Sequence, residues 1–284
     1  MKSLYRSENS FKNQHFLKQK ILKLYDVYSI MKDKYSHPHH LSHLIGALFF
    51  VAQGLALAQS APVVAQADRI YFIGDSTMAT KNGYGDAVCA WLKDKAECFN
   101  LAKNGRSSKS FKEEGLWDQA VQKMKNNPNN LNQWVLIQFG HNDQPGKPGR
   151  STDLSSEYPL NLENYVLDVR AVGAKPILVT PLIRRSFKSG QHQDDLINWA
   201  NSMKNVASKL NVPLIDLHGM SKQKVIEVGE DKADLYAESP KGTPKFDRTH
   251  LGPLGACVFG AMVLQQLPVA TGGKFANVAT TACE

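Results

Sequence analysis

Short apolar runs alternate with longer stretches of helical periodicity along most of this 284-residue chain. The apolar runs predict strands at 70–73, 98–101, 134–139, 176–179 and 213–215. The stretches between and after them predict helices near 84–93, 115–125, 161–172, 194–210 and 252–267. This alternation is typical of a parallel sheet with helices on both faces. We therefore predict one three-layer α/β/α domain built on a five-stranded parallel sheet.

The first 67 residues follow a different pattern. An apolar run at 41–58 comes after Lys32 and Lys34, and small residues recur at 56–58 and again at 65–67. This is the layout of a secretory signal peptide. We predict a leader and short spacer at 1–67 and an exported domain at 68–284, secreted or periplasmic, with no membrane attachment after cleavage. An uncleaved signal anchor is the alternative, and Met31 is a candidate for the true start.

Charge is concentrated in the predicted leader. Residues 1–67 hold eight Lys and Arg but only three Asp and Glu, so they account for five of the eight formal positive charges. The remaining chain is nearly balanced, which gives no reason to expect a nucleic-acid partner. We expect a monomer.

All four cysteines follow the leader, as expected for disulfides in an exported protein. Of the three possible connectivities we favour Cys89 with Cys98 and Cys257 with Cys283, because each closes a local loop. No Cys-x-x-Cys spacing supports the alternative, a metal site.

Polar residues directly after the predicted strands are the candidates for chemistry, since ligands bind at the carboxyl ends of parallel strands. Ser76 follows the first strand in Gly74-Asp75-Ser76, and His250 lies three residues after Asp247. A serine activated by a histidine that a carboxylate orients is the machinery of a serine hydrolase. We predict Ser76 as the nucleophile, His250 as the general base and Asp247 as its orienting acid. Helix capping is the plainer interpretation of residues 75–77.

A second acid–base pair competes for the same role. Asp216 and His218 follow the fifth predicted strand, and a spacing of two would put both side chains on one face.

Two further residues are candidate donors to an oxyanion. Asn142 follows the third strand, and its amide can donate a hydrogen bond. Gly105 has no Cβ, so its backbone N–H can approach a substrate oxygen closely. Ordinary turn chemistry would explain either residue alone.

Together these segments resemble the SGNH (GDSL-type) hydrolases, over nearly all of residues 69–267. Three of these segments are similar in sequence to motifs of rhamnogalacturonan acetylesterases. They are 74–78 (GDSTM), 105–111 (GRSSKSF) and 139–143 (FGHND). The resemblance implies a flavodoxin-like sheet and no cofactor. It also implies the roles given to Ser76, Asp247 and His250, with an oxyanion hole formed by Ser76, Gly105 and Asn142.

Basic residues near the predicted edge suggest an acidic polymer as substrate. Arg184, Arg185 and Arg248, with Lys109, are candidates to bind a galacturonate-containing backbone, although solvated surface charge would explain each of them singly. Four histidines at 37, 39, 40 and 43 resemble a metal cluster but fall in the predicted leader, so we expect no metal site. No dinucleotide-binding or phosphate-binding glycine motif is present.

The predicted function is removal of acetyl groups from a pectic, rhamnogalacturonan-like polysaccharide. Three alternatives remain open at this point: an esterase or lipase acting on other acyl esters, an O-acetyltransferase on the same scaffold, and a carbohydrate-binding domain without catalysis.

Overall fold

A five-stranded, wholly parallel sheet organises the chain in the computed structural model, which describes residues 68–127 and 131–283. In chain order its strands are β1 Asp68–Gly74, β2 Ala96–Asn100, β3 Gln133–Gln138, β4 Lys175–Val179 and β7 Leu214–Ile215. They lie side by side in the order β2-β1-β3-β4-β7. This is the flavodoxin-like order, so the predicted fold class is confirmed. The predicted leader and the histidines within it lie outside the described residues.

Seven described helices cover the sheet. They are α1 Gly85–Leu92, α2 Ser110–Glu113, α3 Leu116–Lys125, α4 Glu157–Ala171, α5 Ile197–Lys209, α6 Leu217–Asp234 and α7 Pro253–Ala270. Alternate residues of β1 point to opposite faces, so Ile70 and Phe72 pack with α1, α6 and α7, while Tyr71 and Ile73 pack with α3, α4 and α5. Both faces are thereby buried, as a parallel sheet requires.

Most elements match their predictions within a few residues, and three do not. The 18-residue helix α6 was not predicted, and neither was the short helix α2. A two-stranded antiparallel hairpin, β5 Phe187–Lys188 with β6 Gln191–His192, is also additional. Its two turn residues, Ser189 and Gly190, both have positive φ, which matches the twist of a tight hairpin.

Both predicted disulfides are confirmed. Cys89 in α1 is bonded to Cys98 in β2, and Cys257 in α7 is bonded to Cys283. Such bonds are consistent with an oxidising, extracytoplasmic location. By length and composition α7 could cross a membrane, but Phe259, Val263 and Leu267 on it are fully buried in the core.

Candidate active site

Ser76 lies on the tight turn that leaves β1, and it is 4% exposed. The fully buried side chain of Asp75 stabilises this turn. Its Oδ1 accepts hydrogen bonds from the backbone N–H (2.9 Å) and the hydroxyl (2.8 Å) of Thr77. A residue with a side chain would not fit at position 74, because a Cβ there would lie 2.6 Å from the carbonyl oxygen of Gln138. The hydroxyl of Ser76 is therefore carried by a fixed backbone.

A chain of buried polar groups supports this turn. Gln138 donates to the hydroxyl of Thr77 (2.6 Å) and accepts from the hydroxyl of Tyr84 (2.8 Å). On the other side Nδ1 of His141 lies 3.2 Å from Oδ2 of Asp75. Burial alone would raise the pKa of Asp75, but His141 and the Thr77 donors outweigh it and lower that pKa. Burial lowers the pKa of His141, so a neutral ring donates its Nδ1–H to a carboxylate.

Two backbone donors predicted for the oxyanion hole have no acceptor in the described part of the protein. Within residues 68–127 and 131–283, neither the backbone N–H of Ser76 nor that of Gly105 donates to a protein acceptor. Gly105 has φ +77°, a conformation that favours glycine. Asn142 uses its amide nitrogen to donate to the carbonyl of Arg106 at 3.0 Å, which engages one of its two amide hydrogens. The residues predicted for an oxyanion hole thus offer three donors.

Asp143 ties the loop of Gly105 to the loop of Asn142. Its buried carboxyl accepts from the backbone N–H (3.1 Å) and hydroxyl (2.5 Å) of Ser108, and from the hydroxyl of Thr152 at 3.2 Å. Burial raises the pKa of Asp143 to about 7, although the bonds from Ser108 oppose the shift. This role could not be predicted from the sequence, because its partner Ser108 lies 35 positions away.

His250 and Asp247 form the predicted acid–base pair on the loop between α6 and α7. Nδ1 of His250 lies 3.0 Å from Oδ2 of Asp247, whose Oδ1 accepts the backbone N–H groups of His250 (2.7 Å) and Thr249 (2.8 Å). Burial would raise the pKa of Asp247, but these hydrogen bonds lower it overall. The backbone N–H of Leu251 donates to the carbonyl of Asn82 at 2.9 Å, which links this loop to the loop that follows Ser76.

No hydrogen bond joins Ser76 to His250 among the described residues. Such contacts are often long in unliganded enzymes and tighten when substrate is bound.

The competing pair, Asp216 and His218, is not joined in the structure. Asp216 caps the N-terminus of α6, accepting from Gly219, and binds Thr180 and Lys204. His218 is buried and its Nε2 contacts Asp194 at 3.0 Å. The two side chains therefore serve separate contacts and do not form one acid–base couple.

The three predicted substrate-binding arginines are largely engaged within the protein. Arg184 binds Asp195 (2.5 Å) and Gln144 (2.8 Å), and Arg248 binds Asp234 and Glu230 on α6. Arg185 is fully buried, so its side chain is not positioned to contact a polymer, contrary to the prediction.

Two other cations lie closer to the oxyanion donors, and the sequence analysis missed them. Nη1 of Arg150 is 3.3 Å from the carbonyl of Gly105 and 3.4 Å from Oδ1 of Asn142. Lys147 donates to the carbonyl of His141. Burial and the positive charges of Arg184 and Arg150 lower the pKa of Lys147. Neither Lys147 nor Arg150 is paired with a carboxylate of the described residues. Lys109, in contrast, is paired with Glu157 at 3.1 Å.

A cavity next to Gly105 has a volume of about 300 Å³, and polar and apolar atoms contribute about equally to its lining. It is lined by Ala79, Thr80, Asn100, Ala102, Lys103, Asn104 and Arg106. In the part of the chain that the structure describes, no group of three His, Cys, Asp or Glu side chains could hold a metal ion.

A serine hydroxyl at the carboxyl end of β1 and a His–Asp pair on a loop linked to it are compatible with a serine-dependent acyl hydrolase. Residues 72–256 match the family model described as GDSL-like Lipase/Acylhydrolase. The chain belongs to this family and is a carboxylic ester hydrolase, as the sequence predicted.

Two curated relatives come from Bacillus subtilis. The probable rhamnogalacturonan acetylesterase YesY is 34% identical over 67% of this chain and 88% of its own length. The rhamnogalacturonan acetylesterase RhgT is 30% identical over 69% of this chain and 88% of its own.

Solved structures share the fold. The YXIM protein of Bacillus subtilis superposes with a TM-score of 0.60 at 24% identity, over 74% of this chain and 58% of its own. The acetylxylan esterase Axe2 of Geobacillus stearothermophilus gives a TM-score of 0.52 at 20% identity, over 70% of this chain and 94% of its own.

Proposed function

We propose that this protein acts outside the cytoplasm, as a monomer, and removes acetyl groups from a pectic, galacturonate-containing polysaccharide. The chemistry rests chiefly on hydrogen bonds that join the loops of the predicted site: Nδ1 of His141 lies 3.2 Å from Oδ2 of Asp75, and Asn142 donates to the carbonyl of Arg106 at 3.0 Å. The substrate class is supported by the two curated relatives, both named as rhamnogalacturonan acetylesterases.

In the proposed reaction Ser76 Oγ attacks the acetyl carbonyl while Nε2 of His250 takes its proton. The carbonyl oxygen becomes negatively charged and receives hydrogen bonds from the Ser76 and Gly105 N–H groups and from Asn142. His250 then protonates the departing sugar oxygen, leaving an acetyl ester on Ser76. Water, deprotonated by His250, attacks that ester and releases acetate. Asp247 stays ionised and stabilises the imidazolium at both steps.

The charges around the donors support an acidic polymer. Lys147 and Arg150 have no carboxylate partner among the described residues, whereas Arg184 is paired with Asp195. A uronate carboxylate is a suitable partner for such groups, because charge-assisted hydrogen bonds are about twice as strong as neutral ones. The cavity beside Gly105 is lined by several polar side chains, among them Asn100 and Asn104, which can bind sugar hydroxyls.

Acetate release from a matched panel of substrates tests the proposal. The panel is acetylated rhamnogalacturonan, the same polymer with its carboxylates methyl-esterified, acetylated xylan, and aryl esters of acetate and octanoate. We expect the highest kcat/KM on the acidic polymer, with a preference over its methyl ester that shrinks as salt is added. We expect acetate to be preferred to octanoate among the aryl esters.

Ser76→Ala should abolish release from every substrate while the circular dichroism spectrum stays that of the folded protein. Residual turnover by that variant would overturn the proposed mechanism. A preference for octanoate would favour a lipase, and acetate transfer to a second sugar without free acetate would favour a transferase.

A further inference from the structure

Arg185 is among the largest fully buried side chains of the described residues, yet it carries a positive charge. It follows β4 and precedes the hairpin β5–β6, beside the loop that holds the His–Asp pair. Burial lowers the pKa of Arg185 to about 10, so the guanidinium remains charged at neutral pH. A buried charge is costly unless its donors are satisfied, so its partners identify what it does.

Those partners are the backbone of the acid–base loop itself. Nη2 of Arg185 donates to the carbonyls of His250 (2.8 Å) and Asp247 (3.3 Å), and Nη1 donates to that of Thr249 (3.4 Å). The backbone N–H of Arg185 donates to the carbonyl of Arg248 at 2.9 Å. One residue thus binds four consecutive carbonyls, 247 to 250.

The guanidinium suits this arrangement because it is planar and presents several N–H donors in a fixed fork. Residues 247–250 belong to no helix and no long strand, so their carbonyls have no regular ladder to satisfy them. Within the described residues Arg185 forms no ion pair with a carboxylate at 4.0 Å or less. Its two Nη groups are therefore directed at the loop backbone and not at an opposite charge, while its buried Nε has no partner among the described residues.

We propose that Arg185 is the positioning residue of the acid–base pair: by binding the carbonyls of 247–250 it fixes where the imidazole of His250 lies relative to Ser76. This rests on the proposed roles of Ser76, Asp247 and His250. The hydrogen bonds between Asp247 and His250 order the pair internally, whereas Arg185 ties the pair to the end of β4 and hence to the sheet that carries Ser76.

The test compares two variants. Arg185→Met removes the guanidinium group, and Arg185→Lys keeps the positive charge but replaces the guanidinium with a single ammonium group. The matched control is Arg170→Met, because Arg170 also donates to two loop carbonyls, those of Leu210 and Asn211, at a remote place. Each variant is assayed on aryl acetate at a temperature where circular dichroism shows it folded. The proton NMR signal of the His250 Nδ1–H group, assigned through its loss in His250→Gln, reports the position of the ring.

For Arg185→Met we expect kcat to fall roughly 100-fold with KM within a factor of two, since an error of about 1 Å in a catalytic group can cost that much. For Arg185→Lys we expect a loss of roughly 10-fold, and for Arg170→Met a change below twofold. The Nδ1–H signal should shift or broaden in both Arg185 variants and stay unchanged in the control.

A folded Arg185→Met or Arg185→Lys with wild-type kcat would overturn the inference. So would a fall in kcat that only follows the folded fraction, with the Nδ1–H signal unchanged. If the methionine variant does not fold, the lysine variant decides by the same two measurements. Activity retained in Ser76→Ala would instead refute the proposed mechanism, whatever the Arg185 variants do.

Discussion

At the scale of single residues, the orientation of the Asn142 amide determines whether it can act on an oxyanion. Its nitrogen donates to the carbonyl of Arg106, and its oxygen faces Nη1 of Arg150 at 3.4 Å. These two contacts distinguish the two ends of the amide. They leave the second amide hydrogen without an acceptor among the described residues.

Replacing Asn142 with alanine should therefore weaken transition-state stabilisation more than substrate binding. We expect kcat on aryl acetate to fall roughly 100- to 1,000-fold, which corresponds to about 3 to 4 kcal/mol, with little change in KM. Asn104→Ala is the matched control, because Asn104 lies beside Gly105 but binds the side chain of Asn82. Steady-state kinetics that showed equal losses in both variants would contradict the assignment of Asn142.

Asp143 links stability to pH in an unusual direction for an aspartate. Its pKa is about 7 in the folded protein, against 3.8 for an unperturbed side chain. Between those values the folded state holds a proton that the unfolded state has lost. The contribution of Asp143 to stability is therefore largest at low pH and decreases as pH rises towards 7.

Asp143→Asn removes this titration, so its free energy of unfolding relative to the wild type should rise between pH 4.5 and 7.5. The rise should reach about 3 kcal/mol, measured by urea unfolding at both pH values. Taking the difference cancels the other carboxylates, several of which have lowered pKa values and act in the opposite direction. Asp153→Asn, where hydrogen bonds from Ser155 and Ser156 lower the pKa of the exposed carboxylate to about 2, should show no such rise. A flat difference for Asp143→Asn would refute the assignment.

At the scale of elements, α6 shows what a capping residue contributes. Asp216 at its N-cap accepts the N–H of Gly219 at 3.2 Å and the hydroxyl of Thr180 at 2.9 Å, and it pairs with Lys204 at 2.7 Å. One side chain thus begins the helix and connects it to β4 and α5. The carboxylate of Asp216 therefore has a structural role.

Asp216→Ala should lower the free energy of unfolding by about 1 to 2 kcal/mol, the usual cost of losing a cap. The kcat/KM of the folded variant should stay within twofold of wild type. Asp231→Ala on the same helix, which removes an exposed partner of Lys241, should change stability by less than about 0.5 kcal/mol. A large loss of activity in folded Asp216→Ala would revive the competing acid–base pair.

The elements also show how far the sequence could be interpreted. Each strand was predictable because a fully covered parallel strand is a short continuous apolar run, as in 134–139. Helix α6 was not, because Gly219 and Gly229 and many charged residues interrupt its apolar spacing, and its backbone departs from helical geometry at Gly229. Its one local signal was the capping residue Asp216, which also fitted a catalytic interpretation.

The proposed catalytic residues were readable from short motifs, whereas their supports were not. Asp247 and His250 lie three positions apart, so their contact follows from local geometry. Arg185, by contrast, was predicted to bind substrate at the surface, because arginine is rarely buried. Its true partners are 62 to 65 positions away, and only the folded chain reveals them.

At the scale of the whole molecule, two covalent bonds restrain the side of the sheet covered by α1 and α7. The bond between Cys89 and Cys98 joins α1 to the edge strand β2. The bond between Cys257 and Cys283 holds the C-terminal segment to α7, across a separation of 26 residues. The longer loop gives the larger entropic restraint on the unfolded chain.

Replacing Cys257 and Cys283 together with alanine should cost roughly 3 kcal/mol of stability, seen as a Tm lower by about 10 °C. Replacing Cys89 and Cys98 should cost slightly less, because that loop has a separation of only 9 residues. Adding a reductant should lower the Tm of the wild type by more than either pair of substitutions. A wild-type Tm insensitive to reductant would contradict the structural role of both bonds.

The contiguity of Asp247 and His250 has a consequence for how this enzyme can diverge. The proposed proton acceptor, the group proposed to orient it and the amides that satisfy that group lie within four successive codons. A gene segment of this length can be exchanged or randomised as one cassette without disturbing the nucleophile, which is encoded far upstream. Variation in acid tolerance among such enzymes can therefore be explored by grafting this tetrapeptide together with its arginine anchor.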